Sequence, residues 1–366
     1  MKKIAWLADY REEGWFSMDR VADALSQEKT GWKPDEQTAV WRPPYRQYGL
    51  LHLLGRWGWN LERFANRYLH FPRWLRARQT QADIFHILDH SYAHLVHELP
   101  LHKTIVTCHD TDAFRSLRAE DAEVRPWWFR KMSRRVLTGL QKAAVIVCDS
   151  AATREALRSE HGFSSDRLRV IPLGVEPVFF ADEANFGKPR PDIGLLHVGS
   201  TIPRKRIELL LDVFAGIRRH YPQAILTRVG GDFTKTQRER ARTLGVLEAI
   251  VIQPTLSNEA LAQLYVKATL TLLPSASEGF GFPILESLAG GTRVLASDLP
   301  VLRELNGPGV RYVAGDNPEV WIEALLGALR EPAPTRDERK NFQAWAGQFT
   351  WLACVKKLQL IYDEIA

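Results

Sequence analysis

Apolar positions in this chain come in short continuous runs, each bounded by turn residues and followed by a longer stretch of helical periodicity. Lys3–Ala8, Ala82–Leu88, Lys103–Cys108, Ala143–Cys148 and Leu168–Pro172 form one series. Gly194–Val198, Ala224–Gly231, Ala249–Gln253, Thr269–Pro274, Thr292–Ser297 and Val310–Val313 form a second. Runs of this length without polar alternation are read as strands buried on both faces, as in a parallel sheet. Between them, Met18–Leu25, Ile207–His220, Glu259–Lys267 and Ile284–Ala289 read as helices. Repeated strand–helix alternation predicts an α/β protein with two doubly wound domains, over 1–175 and 193–344. A stretch with Pro177, Gly187, Pro189 and Pro191 reads as a linker over 176–192. Residues 345–366 are helical with no following strand, and are expected to pack back on the first domain.

Two strand-to-helix turns in the second series carry candidate chemistry. The first is Ser275–Glu286, SASEGFGFPILE. Gly279 and Gly281 let backbone approach a ligand closely. Pro283 suits the first helical position, and the free N–H groups of a helix start attract phosphate. Glu278 and Glu286 bracket the turn, and carboxylates accept hydrogen bonds from hydroxyls. Such a pair suits two sugar rings on either side of a diphosphate; the plainer alternative is a solvated Glu and a capping Glu. The second turn is Gly199-Ser200-Thr201-Ile202-Pro203-Arg204-Lys205-Arg206. Three cations behind a glycine at a helix start read as a diphosphate site, against the alternative of a solvated basic turn.

Composition narrows the class. With 366 residues, 45% hydrophobic and 25% charged, the chain is globular and long enough for two cores. No run is long and apolar enough to predict a transmembrane helix, and the apolar start is too short for a signal peptide. Three widely spaced cysteines suit a reducing compartment, hence a cytoplasmic location, rather than a disulfide framework. The net charge of +6 sits in one half: residues 1–172 hold 27 Lys+Arg against 21 Asp+Glu, the remainder 22 of each. Residues 56–78 interleave six arginines with Trp57, Trp59, Phe64, Tyr68, Phe71 and Trp74, and residues 125–135 repeat the composition. Such stretches suit a peripheral contact with an anionic membrane surface, or equally a helix with its rings in the core. No nucleic-acid motif accompanies them, so no nucleic-acid partner is expected.

Other residues of the first half gather at strand ends. The loop after the first strand offers Asp9, Tyr10, Gly14 and Trp15 as candidates for a ligand cleft. His109 follows another strand and is placed to donate to a sugar hydroxyl or leaving phosphate, or else to bond backbone. Six histidines cluster at positions 86, 90, 94, 97, 102 and 109, and Asp110-x-Asp112 is a two-carboxylate motif. No complete ligand set is recognisable, so no metal or other cofactor is expected.

Taken together, LHVGSTIPRKRIELLLDVFAGI, SEGFGFPILESLAGGTRVLASDLPVLREL, IPLGVEPVFF and CDSAATRE resemble the family 4 retaining glycosyltransferases of GT-B fold, in mannosyltransferase-type members. That resemblance implies two Rossmann-like domains facing a cleft, with a nucleotide sugar held against the second. Lys205, with Arg204, would neutralise the diphosphate beside Gly199 and Ser200. Glu286 would take the ribose hydroxyls and Glu278 the donor hexose. Phe280 and Gly281, within Gly279–Phe282, would supply backbone N–H groups. The base would lie near Ile252, Gln253, Pro254 and Leu256, and His109 would sit near the donor sugar. The resemblance also implies a hexose donor, with GDP-mannose preferred over UDP-sugars, and a glycan or lipid-linked acceptor, as in polysaccharide assembly. Two positions depart from the family pattern: Ser200 stands where many members carry Arg, and Gly14 is alone where many have Gly-Gly. An epimerase of the same fold, a phosphorylase and a non-catalytic sugar-nucleotide-binding module are the alternatives.

Overall fold

The computed structural model describes residues 1–49, 55–117, 126–182 and 193–366. The chain divides into two compact units, one of Met1–Gly174 with Trp351–Ala366, the other of Val175–Thr350.

The first unit is built on six parallel strands: β1 (Lys2–Leu7), β2 (Glu36–Trp41), β3 (Ile84–Ile87), β4 (Thr104–Cys108), β5 (Val145–Cys148) and β6 (Leu168–Val170). Their order is β2-β1-β3-β4-β5-β6. Every residue of β3, β4 and β5 is buried, which explains their uninterrupted apolar runs. The edge strand β2 is half-exposed and reads EQTAVW, too polar to stand out as a strand in the sequence. The helices α1 (Phe16–Gln27), α2 (Gly55–Ala65), α3 (Phe71–Arg76), α4 (Asp112–Arg115), α5 (Trp127–Lys142) and α6 (Ala151–His161) surround the sheet connections. The helix Trp351–Glu364 completes this unit and buries Trp351, Val355, Leu358, Ile361 and Tyr362. Its Tyr362 hydroxyl accepts from Trp6 Nε1 at 3.0 Å and meets His86 Nδ1 at 2.7 Å, while His86 Nε2 meets Thr107 Oγ1 at 2.8 Å. A buried ring nitrogen, hydroxyl and indole that satisfy one another avoid a penalty of about 1–3 kcal/mol for each group left unpaired.

The second unit repeats the plan with β7 (Gly194–Val198), β8 (Ile225–Val229), β9 (Ile250–Gln253), β10 (Leu270–Leu273), β11 (Val294–Ser297) and β12 (Val310–Val313). Their order is β12-β11-β10-β7-β8-β9. The helices are α7 (Ile207–His220), α8 (Lys235–Thr243), α9 (Asn258–Lys267), α10 (Phe282–Ala289), α11 (Pro300–Leu305), α12 (Pro318–Arg330) and α13 (Arg336–Ala346). α7 is amphipathic and buries Leu210, Leu211, Phe214 and Ile217 against Leu195, Leu226 and Leu272 of the sheet. Each such side chain, fully buried, stabilises the fold by about 1.5–3 kcal/mol. The start of the expected linker belongs to this unit, since Pro177–Phe179 is a 3-10 turn with Phe179 buried edge-on to Tyr265. The rest of it, 183–192 with Gly187, Pro189 and Pro191, lies outside the described residues, as do Arg125 and the Arg56 side chain.

Strand order decides where ligands can bind. In the second sheet the chain adds β8 and β9 on one side of β7, then returns to add β10, β11 and β12 on the other. The loops after β7 and β10 therefore diverge from the two central strands and leave a crevice at the carboxyl ends, the usual ligand position in such sheets. The first sheet has the same switch between β1 and β3.

Candidate functional site

Both candidate turns of the second unit lie at its switch point. The segment Pro203–Lys205 forms a 3-10 turn after β7, and Arg206 enters α7 with a left-handed φ of 47°. The loop after β10 ends at Gly281, whose φ of 105° and closeness to Leu302 exclude a side chain: a Cβ there would stand 2.8 Å from Leu302 Cδ2. Phe282 opens α10 and Pro283 follows, one position later than expected. The two loops are tied backbone to backbone, with the Ala276 N–H donating to the Arg204 carbonyl at 2.7 Å. Lys205 Nζ donates to Glu278 Oε1 at 2.6 Å, and Ser275 Oγ donates to the same oxygen at 2.6 Å. Arg204 donates to the Ser277 carbonyl at 3.1 Å and stands 3.5 Å from Glu278 Oε2. Burial alone would raise the Glu278 carboxyl, but Lys205 and Arg204 outweigh it and hold the group below its usual range. Lys205 has three donors, so two remain after Glu278. Glu286 is fully buried on α10 and accepts from the Tyr265 hydroxyl at 2.7 Å. Among the described residues, no protein acceptor takes the Phe280 or Gly281 N–H.

The first unit gathers a second polar cluster at its own switch point. Asp9 lies just past β1 and Asp89 just past β3, and both are buried. Burial and the adjacent Asp89 carboxylate push the Asp9 carboxyl well above its usual range. Asp89 is held well below it despite its burial, with His90 Nδ1 at 3.2 Å. His109, after β4, has Nδ1 at 2.5 Å from Asp149 Oδ2 and Nε2 at 2.8 Å from the Leu88 carbonyl. Burial by itself would depress this imidazolium, but the Asp149 carboxylate more than compensates and raises the ring to about 9. Glu13, wholly buried, meets Arg63 at 3.1 Å and Arg67 at 3.3 Å and accepts from the Tyr92 hydroxyl at 2.7 Å.

Two family models account for most of the chain. Residues 30–179 match glycosyltransferase family 4, and residues 179–346 match glycosyl transferases group 1. The chain belongs to glycosyltransferase family 4. It is similar to the D-inositol 3-phosphate glycosyltransferase of Acidothermus cellulolyticus, 30% identical over 56% of this chain and 49% of that protein. It is also similar to the MMP α-(1→4)-mannosyltransferase of Mycolicibacterium hassiacum, 30% identical over 66% of this chain and 58% of that protein. The match thus spans about half the length of these relatives. Among solved structures, HepE of Anabaena in complex with UDP-glucose aligns with a TM-score of 0.75 at 15% identity, covering 100% of both chains. Sucrose-phosphate synthase of Thermosynechococcus elongatus aligns with 0.72 at 19% identity, covering 100% of this chain and 99% of that one. The fold is GT-B.

In this family 4 chain, three of the expected donor-side residues, Arg204, Lys205 and Glu278, are brought together. Lys205 and Glu278, assigned separately to phosphate and sugar, are partners of each other. The third cation, Arg206, turns away to the Gly315 carbonyl at 3.4 Å and Asp316 at 3.6 Å. Gly199 follows β7 beside the Lys205 stem, and Ser200 after it is exposed. Ile252 and Gln253 end the edge strand β9, with Ile252 partly committed to the core, and Pro254 and Leu256 follow in the loop. In the first unit, His109 has both ring nitrogens engaged, so it offers no free N–H to a substrate; its charge and its hold on Leu88 are what this geometry provides. Tyr10 is core rather than cleft-lining: its ring is buried against Tyr45 and Phe71. Gly14 makes a left-handed turn with φ of 72°, and Trp15 beside it is exposed. His90 and His94 do not pair, because His94 Nε2 is on the Arg67 carbonyl. Asp110 accepts from the Asp112 N–H at 3.1 Å, a local turn. The basic aromatic stretch divides: Phe71 and Trp74 pack in the core, while α2 exposes Trp57 (80%), Trp59 and Phe64, and α5 exposes Trp127 and Trp128. Among the described residues, no helix is long and apolar enough to cross a membrane. Arg67, one of six arginines in its stretch, Asp149, just before a helix start, and Arg228, within a strand, were not legible as site residues.

Proposed function

We propose that this protein is a retaining glycosyltransferase that moves a hexose from a nucleoside-diphosphate sugar to a glycan or lipid-linked acceptor. The observation that carries the reading is the buried Lys205–Glu278–Ser275 arrangement at the switch point, with Arg204 beside it and Glu286 on the following helix. Lys205, with the two N–H donors left after Glu278, and Arg204 beside it face the diphosphate. Glu278 accepts from hydroxyls of the transferred sugar and Glu286 from the ribose. As the bond from the anomeric carbon to the β-phosphate oxygen breaks, negative charge grows on the leaving group, and cations already in place stabilise it. The acceptor oxygen bonds to the same face of the anomeric carbon, and its proton passes to the departing phosphate oxygen. In this reading the protein cations carry the charge and no metal is required.

GDP-mannose is the preferred donor, supported by likeness to a mannosyltransferase; likeness of fold to a protein that binds UDP-glucose supports the UDP-hexose reading. The exposed tryptophans of α2 and α5, with the net positive charge of the first half, support peripheral contact with anionic lipid and a lipid-linked acceptor. The function is tested by incubating the protein with GDP-mannose or UDP-glucose, with and without lipid extract, in excess chelator. Release of nucleoside diphosphate that depends on the lipid acceptor supports the reading. Acceptor-independent conversion of the sugar nucleotide would identify an epimerase. Activity lost in chelator and restored by manganese overturns the metal-free mechanism.

A further inference from the structure

The loops after β7 and β8 are locked together by one side chain. Arg228 on β8 lies opposite His197 on β7 and is fully buried. Its Nη2 donates to the Gly199 carbonyl at 2.9 Å and its Nη1 to the Gly231 carbonyl. The guanidinium lies over the Phe233 ring, 5.4 Å from its centre. Gly230, with φ of 119°, lies directly on Gly199; a Cβ there would stand 2.3 Å from the Gly199 oxygen. Gln237 Nε2 adds a further tie, to the Thr201 carbonyl at 3.4 Å.

The counter-charge that acts on this guanidinium is Asp232, which lies beyond ion-pair distance and is itself paired with Arg238. Among the described residues no carboxylate forms an ion pair with Arg228, and burial pulls its pKa down to about 10. His197 beside it is fully buried, and neither ring nitrogen has a partner among the described residues. Burial, Arg228 and Lys205 together hold that imidazole neutral. Burying an unpaired charge costs several kcal/mol. The fold therefore keeps a positive charge behind the Gly199 turn at a cost that backbone bracing by a neutral side chain would avoid.

The direction of the bonds says what the charge does. In a trans peptide the C=O and N–H point in opposite directions. With the Gly199 oxygen held inward on Arg228, the Ser200 N–H of the same peptide points outward, away from the sheet. Among the described residues no protein acceptor takes it. A hydrogen bond to the carbonyl also polarises the peptide and strengthens that N–H as a donor.

We propose that Arg228 is a positioning residue for an anionic diphosphate group: it aims the Ser200 N–H outward at the β7 turn and sets an unpaired positive charge behind it. The inference rests on the donor site proposed above and adds to it a residue that does not touch the ligand. The test measures the Kd of UDP and GDP by calorimetry, and of uridine and guanosine by ligand-detected NMR, for wild type, Arg228→Met and Arg228→Lys. In Arg228→Met the tighter diphosphate is expected to weaken by about ten- to hundredfold, the span of a lost charge-assisted donor, with its nucleoside within about twofold of wild type. Arg228→Lys keeps the charge but cannot span two carbonyls, and is expected to fall between, at about three- to tenfold. A folded Arg228→Met with unchanged diphosphate Kd overturns the inference and leaves the donor site standing. Equal weakening of nucleoside and diphosphate reduces Arg228 to a structural brace and also overturns it. Should Arg228→Met not fold, Arg228→Lys decides alone: an unchanged Kd refutes the proposal. Wild type that binds neither diphosphate removes the donor site itself, and the inference with it.

Discussion

Replacing Lys205 by alanine separates the structural from the chemical role of the donor-side pair. The Lys205 and Glu278 side chains are 10% and 8% exposed and meet at 2.6 Å. Removing one partner of a buried pair costs about 3–5 kcal/mol, because the other charge is left without compensation. Here Ser275 stays on Glu278 and Arg204 remains 3.5 Å away, so the expected loss is at the lower end, about 3 kcal/mol. For a unit of this size that lowers its melting temperature by about 6–12 °C. The pH dependence has a definite sign. Glu278 is held below its usual range in the folded protein, so its contribution is present above that range and lost as pH falls through the depressed value. In Lys205→Ala burial prevails, the carboxyl rises, and the acid limb of the stability profile moves to higher pH. Replacing both residues, Lys205→Met with Glu278→Leu, removes charge and counter-charge together and is expected to recover most of the stability, to within about 1 kcal/mol. It is not expected to recover turnover. Calorimetric melting from pH 7 to pH 4, beside a turnover assay, checks all three proteins. A Lys205→Ala protein with wild-type melting and an unmoved acid limb refutes the reasoning, as does a double variant that regains activity.

Glu286→Ala is expected to cost about 2–4 kcal/mol of transition-state stabilisation in kcat/KM. Tyr265→Phe, which removes only the hydroxyl on Glu286 Oε2, is expected to cost about 1 kcal/mol, mostly in donor KM; equal losses in the two variants contradict this. The His109–Asp149 pair raises the imidazolium from 6.5 to about 9, so its stabilisation, roughly 3 kcal/mol, is complete below about pH 6.5 and lost as pH rises through about 9. Melting between pH 6 and pH 10 should show that decline in wild type and not in Asp149→Asn; the same slope in both is the contrary result. Sedimentation with anionic vesicles at low salt should carry down wild type, and Trp57→Ala with Trp127→Ala should weaken it about tenfold or more, given the ring area each exposes. Absence of wild-type binding removes the membrane contact.

The parallel sheets were legible because their inner strands carry nothing but apolar residues, and the second switch point was legible because its glycines and acids fall within one short stretch. The edge strand β2 was hidden by Glu36, Gln37 and Thr38, which only an edge position tolerates. The pairing of Lys205 with Glu278 was not legible either. It joins residues on two loops brought together by the return of the chain from β9 to β10, and no local pattern encodes that return. The basic aromatic stretch misled in part, because Trp57 and Phe71 have the same neighbours in composition while one is exposed and the other is core. Arg228 was lost inside a strand reading AILTRVGG, where a single cation among apolar residues looks like an outward-facing position. His109 was singled out as a donor to substrate, but its engagement on both sides depends on Leu88 and Asp149, just past two other strands.

The central claim is that the second unit binds a nucleoside-diphosphate sugar through Lys205 and Glu278. A thermal-shift panel of UDP-, GDP- and ADP-sugars on the wild-type protein and on the paired Lys205→Met, Glu278→Leu variant tests it most directly. A ligand at about 100 times its Kd stabilises the native state by about 2.7 kcal/mol, enough to raise the melting temperature by several degrees. The account predicts such a rise for at least one nucleotide class in wild type and none in the variant. No rise with any nucleotide sugar in wild type, or an equal rise in both proteins, contradicts it.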